Sequence, residues 1–164
     1  MERLQSSEIH SEIKEMDEYF MRIALGEAES AFSEGEVPVG SVLVVDNMII
    51  SRAYNTKEHN NDPTAHAEIL VIRNGASIIG NWRLSNATLY VTKEPCIMCA
   101  GAMINARIGR LVYGCRDVRY GAIESQFRLI NDPRLNHQIE VTSGVLADEC
   151  GEILQRFFKG LRIP

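Results

Sequence analysis

The 164-residue chain has no apolar run long enough to cross a bilayer, so we expect no membrane partner. Its first residues, Met1 to Lys14, lack the apolar core of a signal peptide and include several glutamates. These two absences predict a cytoplasmic protein. Internal repeats, low-complexity segments and an evident linker are also missing, and the length suits one domain with its own core.

Cysteine is scarce, with four residues in the whole chain. Two of them, Cys96 and Cys99, form a C-x-x-C pair directly after a proline. The other two, Cys115 and Cys150, we expect to be reduced core thiols, because disulfides are rare in the cytoplasm. A disulfide-stapled secreted fold is therefore not predicted.

Basic residues are in the minority, and the net charge is −5. The distribution is uneven: residues 1–37 hold ten acidic and three basic side chains, whereas residues 38–164 hold twelve acidic and fourteen basic ones. Phosphate binding needs only a local basic surface. Two groups of cations lie in the second part: Arg107, Arg110, Arg116, Arg119, Arg128 and Arg134, then Arg156, Lys159 and Arg162. A phosphate-binding surface and a merely solvated face are equally open interpretations.

One group of residues carries recognisable chemistry: His66-Ala67-Glu68, followed by Pro95-Cys96-Ile97-Met98-Cys99. One imidazole and two thiolates are typical ligands of Zn²⁺, and three protein ligands leave a fourth position for water, as in catalytic sites. Glu68 is not needed as a ligand, so its carboxylate is free to move protons between that water and a substrate. The sequence predicts one Zn²⁺ per subunit on His66, Cys96 and Cys99, with Glu68 as the catalytic proton shuttle.

The flanking residues agree with this geometry. Pro95 suits the first turn of a helix, and Asp62-Pro63-Thr64 is a helix start signal ahead of His66. His66 and Glu68 are two positions apart, so they can flank one ligand only in a first helical turn. A redox C-x-x-C pair or a core role for these residues are the alternatives. We favour the metal site, because an alternative would have to explain the His, the Glu, the Pro and both Cys together.

Hydrophobic periodicity predicts helices that alternate with the later strands, after an opening hairpin across Asp46-Asn47. This order indicates an α/β layered fold. Residues 114–137 form a long irregular stretch, which more often serves function than structure. The predicted elements are helix 16–33, strands 41–45 and 48–53, helix 65–76, strand 88–92, helix 96–106, strands 110–113 and 139–142, and helix 148–158.

H-x-E followed by P-C-x-x-C is a described signature of zinc nucleobase deaminases. On these residues the chain resembles the cytidine deaminase-like zinc hydrolases and, within them, the bacterial tRNA-specific adenosine deaminases. The resemblance runs from about Met16 to Arg162. It includes Gly35-Glu36-Val37-Pro38-Val39-Gly40, the segment Asp62 to Glu68, Asn81-Trp82-Arg83-Leu84, the segment Ala87 to Thr92, Glu94-Pro95-Cys96, Asn136-His137 and the segment Gly144 to Cys150.

The resemblance implies a three-layer α/β/α fold with a five-stranded mixed sheet and an N-terminal hairpin. It implies hydrolytic deamination of adenosine to inosine at the wobble position of a tRNA anticodon loop, by a homodimer. His66, Cys96 and Cys99 match the zinc ligands and Glu68 the proton shuttle. Asn55 matches an asparagine that binds the flipped base, and Asn136 lies in a motif implied to line the nucleotide pocket.

Residues 16–164 form the expected deaminase domain, and residues 1–15 are an N-terminal extension with no counterpart in the family, for which disorder is one alternative. Two other functions stay open at this point. The first is deamination of a free base or nucleoside, guanine or cytosine, on the same scaffold. The second is a non-catalytic zinc module, which would not need Glu68.

Overall fold

The structure, a computed structural model, describes residues 2–162, and side chains from Ser6 onward. Among the described residues no helix combines the length and the apolar character that a membrane span requires. The elements in chain order are α1 (Glu2–Ser33), β1 (Gly40–Val45), β2 (Met48–Tyr54), α2 (Ala67–Ile79), β3 (Ala87–Lys93), α3 (Ile97–Asn105), β4 (Arg110–Cys115), β5 (Glu140–Thr142) and α4 (Ala147–Leu161).

The strands form one five-stranded mixed sheet in the order β2-β1-β3-β4-β5. β1 pairs antiparallel with β2 and β3, whereas β3, β4 and β5 run parallel. The β1–β2 turn falls at Asp46 and Asn47, whose φ angles of 50° and 59° are those of a tight hairpin turn. The predicted α/β fold, with a five-stranded mixed sheet and an opening hairpin, is confirmed.

The sheet is covered on both faces, and alternation along the strands decides which residue faces which layer. Val42 and Val44 face α1 and α4, whereas Leu43 between them faces α2 and α3. The first layer packs Phe20, Met21 and Ala24 of α1 with Cys150 of α4. The second layer packs, among others, Val71, Ile72, Ala100 and Met103. This is the predicted three-layer α/β/α arrangement.

The crossover between β3 and β4 positions the predicted metal ligands. Parallel neighbours need a crossover connection, and here α3 supplies it. The segment Glu94 to Cys96 therefore lies just beyond the carboxyl end of β3, where α3 begins. His66 lies at the start of α2, and the site forms where these two helix N-termini meet.

All four helices differ from the predictions at one end or both, and α4 spans Ala147–Leu161 instead of 148–158. α1 begins at Glu2 instead of residue 16, because residues 2–15 contain no Gly or Pro that would stop the helix. α2 begins at Ala67, so that His66 is its N-cap residue. α3 begins at Ile97 with Cys96 as N-cap, so Pro95 precedes the helix instead of lying in its first turn. The division into an extension, 1–15, and a deaminase domain stays a prediction.

Candidate active site

His66 is held at the N-terminus of α2 by the loop that precedes it. The Asp62 carboxylate accepts hydrogen bonds from the backbone N–H and the hydroxyl of Thr64, at 2.8 and 2.7 Å. The Thr64 bonds lower the pKa of Asp62. The Thr56 N–H donates to the Ala65 carbonyl at 3.1 Å, which ties the loop to the end of β2. His66 is thus placed by local turn chemistry, with its ring half-buried.

The three predicted ligands converge. His66 Nδ1 lies 3.6 Å from Cys96 Sγ and 3.5 Å from Cys99 Sγ, and all ligand atoms lie within 4.8 Å of one another. A tetrahedral ion with Zn–S of about 2.3 Å and Zn–N of about 2.1 Å separates sulfur from nitrogen by about 3.6 Å. Since all four cysteines are free thiols, the donor set fits a metal ion of this size.

The electrostatics at the ligand group favour one thiolate, at Cys96. Hydrogen bonds from Cys99 and His66 lower the pKa of the Cys96 thiol, whereas the hydrogen bond to Cys96 and burial raise the pKa of Cys99. The contact with Cys96 raises the pKa of His66. The positive end of a helix dipole stabilises negative charge, and Cys96 caps α3. The ligand group is therefore arranged to carry negative charge opposite a cation.

Glu68 is the second residue of α2 and is 4% exposed. It lines the same cavity as His66 and Cys96. Burial raises the pKa of Glu68, and the attraction of His66 offsets part of that effect. A carboxyl group whose pKa is moved toward neutrality beside a metal-ligand group suits proton transfer in both directions.

The cavity over these residues has a volume of ≈ 290 Å³, at the lower end of the range for small-ligand pockets. It is lined by Val37, Val39, Asn55, Lys57, His66, Ala67, Glu68, Lys93, Glu94, Cys96, Asp117, Tyr120 and Phe158. We call His66, Glu68 and Cys96, together with the buried Cys99 that contacts His66, the floor of the cavity. The volume of the cavity suits one planar base.

Asn55 is brought to this cavity, as predicted. Its side chain is 6% exposed, and its Nδ2 lies 3.4 Å from both a Glu36 carboxylate oxygen and the Val37 carbonyl. Its Oδ1 is buried and finds no hydrogen-bond partner among the residues that the structure describes. A buried unpaired acceptor costs about 1–3 kcal/mol, which a bound donor would recover. Its contact with substrate stays a prediction.

Asn136 lies elsewhere. It is exposed, its Oδ1 accepts a hydrogen bond from the Arg107 guanidinium at 2.9 Å, and it is not part of the cavity lining in the described chain. The structure therefore brings together five of the six predicted site residues and not the sixth. The role of Asn136 in nucleotide binding stays a prediction.

Sequence reasoning assigned no role to Glu94, which organises one side of the cavity. Glu94 is 2% exposed and accepts hydrogen bonds from the N–H groups of Asp117, Ile123, Glu124 and Ser125 and from the Ser125 hydroxyl, at 2.5–3.3 Å. A Cβ at Gly121 would collide with this carboxylate. We call residues 117–125, held in this way, the rim loop. The sequence feature that could have identified Glu94 is its position directly before the P-C-x-x-C segment.

A second groove of ≈ 470 Å³ adjoins the cavity and shares Lys93, Asp117, Tyr120 and Phe158 with it. Four of the predicted cations line this groove: Arg116, Arg119, Lys159 and Arg162. Lys93 lies at the border, paired with Asp117 at 2.8 Å. The basic surface that charge alone left open is therefore present, next to the candidate site.

Three other predicted cations form ion pairs outside the groove. Arg110 forms a two-pronged ion pair with Asp17, at 2.8 and 2.7 Å. Arg134 pairs with Asp132, and Arg156 pairs with Glu29 at 2.9 Å. These three arginines stabilise local structure and do not line the groove.

Comparisons with known proteins agree with this site. A family model described as MafB19-like deaminase matches residues 15–162. The chain is 54% identical over 149 residues to a tRNA-specific adenosine deaminase of Haemophilus influenzae, covering 90% of this chain and 86% of that one. It is 48% identical over 146 residues to the enzyme of the same name from Bacillus subtilis, covering 89% and 91%. The chain belongs to the tRNA-specific adenosine deaminase family.

Solved structures support the membership. A structure from a study of A-to-I editing by tRNA:A34 deaminases at the wobble position matches with a TM-score of 0.80 and 49% identity, covering 83% of this chain and 99% of that one. A guanine deaminase from Nitrosomonas europaea matches with a TM-score of 0.75 and 22% identity, covering 85% and 83%. At that identity the second likeness shows a shared fold alone.

Proposed function

We propose that this protein catalyses the zinc-dependent hydrolytic deamination of adenosine to inosine at the wobble position of a tRNA anticodon loop. The observation that carries the proposal is a buried glutamate, Glu68, on a cavity floor where one imidazole and two thiols converge. The names of the relatives supply the substrate class.

A zinc ion held by His66, Cys96 and Cys99 would supply Lewis acidity that lowers the pKa of a water molecule. Glu68 would accept a proton from the attacking water and pass it to the ring nitrogen beside the reacting carbon. It would then take the remaining proton of the added hydroxyl group and pass it to the departing amine. Water adds its oxygen to the carbon, the carbon–nitrogen bond breaks, and inosine and ammonia are the products. Such acid–base help is worth about 10²–10⁴ in rate.

The groove beside the cavity supports RNA as the substrate. A base in a tight loop is unstacked at less cost than one in a duplex, so a small enzyme can take it into a pocket. Asn55 would bind the flipped base with its unpaired Oδ1. Cations of the groove, such as Arg119 and Lys159, would then contact the phosphates of neighbouring nucleotides.

We further propose a homodimer acting in the cytoplasm, where its tRNA substrate is found. Ile97 and Phe127 are 51% and 46% exposed beside the metal ligands, around a depression of ≈ 370 Å³. Large apolar side chains exposed together mark association surfaces. Sedimentation should therefore give a dimer, and Ile97→Glu should shift it toward the monomer. A monomeric wild type would contradict this part of the proposal.

The deciding experiment incubates the purified protein with tRNA transcripts, free adenosine, guanine and cytosine, and measures inosine and ammonia. We expect inosine only at the wobble position of the tRNA. Efficient deamination of free guanine or cytosine, with unchanged tRNA, would establish the alternative free-base function.

A further inference from the structure

The mechanism above leaves one buried carboxylate beside the cavity without a role. Glu36 follows the left-handed Gly35 (φ 77°) that ends α1, and it is 1% exposed. One carboxylate oxygen accepts a hydrogen bond from the His59 N–H at 2.6 Å. The other lies 3.4 Å from Asn55 Nδ2. Glu36 therefore connects the end of α1 to Asn55 and to the loop before His66.

The groups around Asn55 determine which way its amide points. The Glu36 carboxylate and the Val37 carbonyl both accept hydrogen bonds, and both lie 3.4 Å from Nδ2. Turning the amide by 180° would put Oδ1 against these two acceptors, which is repulsive. The NH₂ group is thus retained on the Glu36 side, and Oδ1 stays buried and unpaired in a residue that lines the cavity.

We propose that Glu36 is a positioning residue of the deamination reaction, which fixes the Asn55 amide so that its oxygen is presented to the substrate. This inference rests on the proposed function, because it needs a nucleoside in the cavity. An amide oxygen fixed in this way also discriminates between substrates. The bound nucleoside has to offer an N–H or O–H donor at Asn55, and a nucleoside that offers only an acceptor there is disfavoured.

Glu36→Gln tests the inference with almost no change of shape. The new side chain keeps an oxygen for the His59 N–H, but it turns an NH₂ donor toward Asn55. Asn55 then meets a donor where it had an acceptor, so only the Val37 carbonyl still holds its NH₂ group and its oxygen is no longer fixed toward the cavity. We expect kcat/KM on tRNA to fall about 10- to 100-fold, the worth of one buried hydrogen bond. Metal content and thermal midpoint should stay close to those of the wild type.

Glu34→Gln is the matched control. Glu34 lies two positions earlier and accepts a hydrogen bond from the Tyr54 hydroxyl at 2.7 Å, on the exposed surface. The same chemical change at this position should leave kcat/KM unchanged. An equal loss in both variants would overturn the inference, because it would show a general effect of lost charge at the end of α1.

A double-mutant cycle with Asn55→Ala separates positioning from a structural role. If Glu36 acts through Asn55, Glu36→Gln should add no further loss in the Asn55→Ala background. If the losses in kcat/KM of the two single variants multiply in the double variant, Glu36 acts independently of Asn55 and the inference is wrong. A wild type inactive on tRNA would instead reject the proposed function itself.

A readout without substrate completes the test. The side-chain amide signals of Asn55 in a ¹⁵N–¹H spectrum, assigned by their loss in Asn55→Asp, report the partners of Nδ2 directly. They should shift in Glu36→Gln and stay in place in Glu34→Gln. Unshifted signals in Glu36→Gln would show that Glu36 does not orient this amide.

Discussion

Glu68 and Glu94 are both buried glutamates that line one cavity, yet their surroundings are opposite. Burial raises the pKa of Glu68, and a backbone hydrogen bond and the attraction of His66 offset only part of that effect. Burial also disfavours the charge of Glu94, but hydrogen bonds from Ser125, Glu124 and Asp117 outweigh this and lower its pKa. A carboxylate whose charge is stabilised by several hydrogen bonds stays ionised and serves as an anchor, whereas one whose charge is disfavoured by burial can exchange protons.

We therefore expect the floor, which contains Glu68, to carry out proton transfer, and the rim loop, which Glu94 anchors, to maintain the shape of the cavity. Glu94 fixes the rim loop, which carries Asp117 and Tyr120 into the cavity wall and Arg119 into the basic groove. Changes at the floor should act on kcat, and changes at the rim should act on stability and tRNA binding. The following predictions test this division, from the largest effect to the smallest.

Glu68→Ala should lower kcat on tRNA by about 10²–10⁴, since it removes the proton shuttle. KM should change little, because the rim is intact. Single-turnover kinetics on a tRNA transcript measure the effect, with the exposed Glu152→Gln of α4 as the control. Near-normal turnover of Glu68→Ala would remove the shuttle role.

Metal analysis distinguishes the proposed proton shuttle, Glu68, from a proposed zinc ligand, Cys96. Cys96→Ser should lose most of the bound zinc, because it removes one of three donors, while Glu68→Ala should keep it. Protein purified without added zinc and analysed by atomic emission gives the stoichiometry, expected at one ion per subunit. Cys115→Ser is the control, since that thiol donates to the Thr92 carbonyl and lies outside the ligand group. A full complement of zinc in Cys96→Ser would exclude Cys96 as a ligand.

Glu94→Ala should lower the free energy of unfolding by about 3 kcal/mol, because several buried N–H groups lose their acceptor. Chemical denaturation of the two proteins measures the difference. The isosteric Glu94→Gln adds a pH test. Since the folded pKa of Glu94 lies below its ordinary value of 4.5, its contribution is full above that pH. The gap between wild type and Glu94→Gln should shrink as the pH falls below 4.5.

The opposite pH dependence is expected at the floor. The folded pKa of Glu68 lies above its ordinary value of 4.5, so ionisation at neutral pH destabilises the metal-free protein. Metal-free Glu68→Gln should be more stable than metal-free wild type at pH 7. The advantage should shrink as the pH falls and vanish below 4.5, where Glu68 is protonated in both the folded and the unfolded protein. Denaturation curves of the two metal-free proteins at several pH values measure this difference in stability. A difference that grows at low pH would contradict the contrast drawn between Glu68 and Glu94.

The sequence predicted the floor better than the rim for a physical reason. His66, Glu68, Cys96 and Cys99 belong to two short motifs at helix starts, and local turn chemistry places each of them. Glu94 and Glu36 act through partners 19 to 31 positions away along the chain, in loops without hydrophobic periodicity. The alternation of apolar residues predicted the sheet and its layers. It carried no signal for the start of α1, since Ile9 and Ile13 are exposed.

The smallest predicted effect concerns the basic groove. Each lost phosphate contact should reduce the slope of log K against log salt by about one unit, without changing which base is deaminated. Lys159→Ala and Arg162→Ala should therefore flatten the salt dependence of tRNA binding by about one unit each and leave kcat unchanged. Arg156→Ala is the matched control on the same helix, because Arg156 pairs with Glu29 and stacks on Phe32, away from the groove. If Arg156→Ala flattened the slope and the other two did not, the phosphate path would cross the face of α4 that carries Arg156, and Lys159 and Arg162 of the groove would have no part in holding RNA.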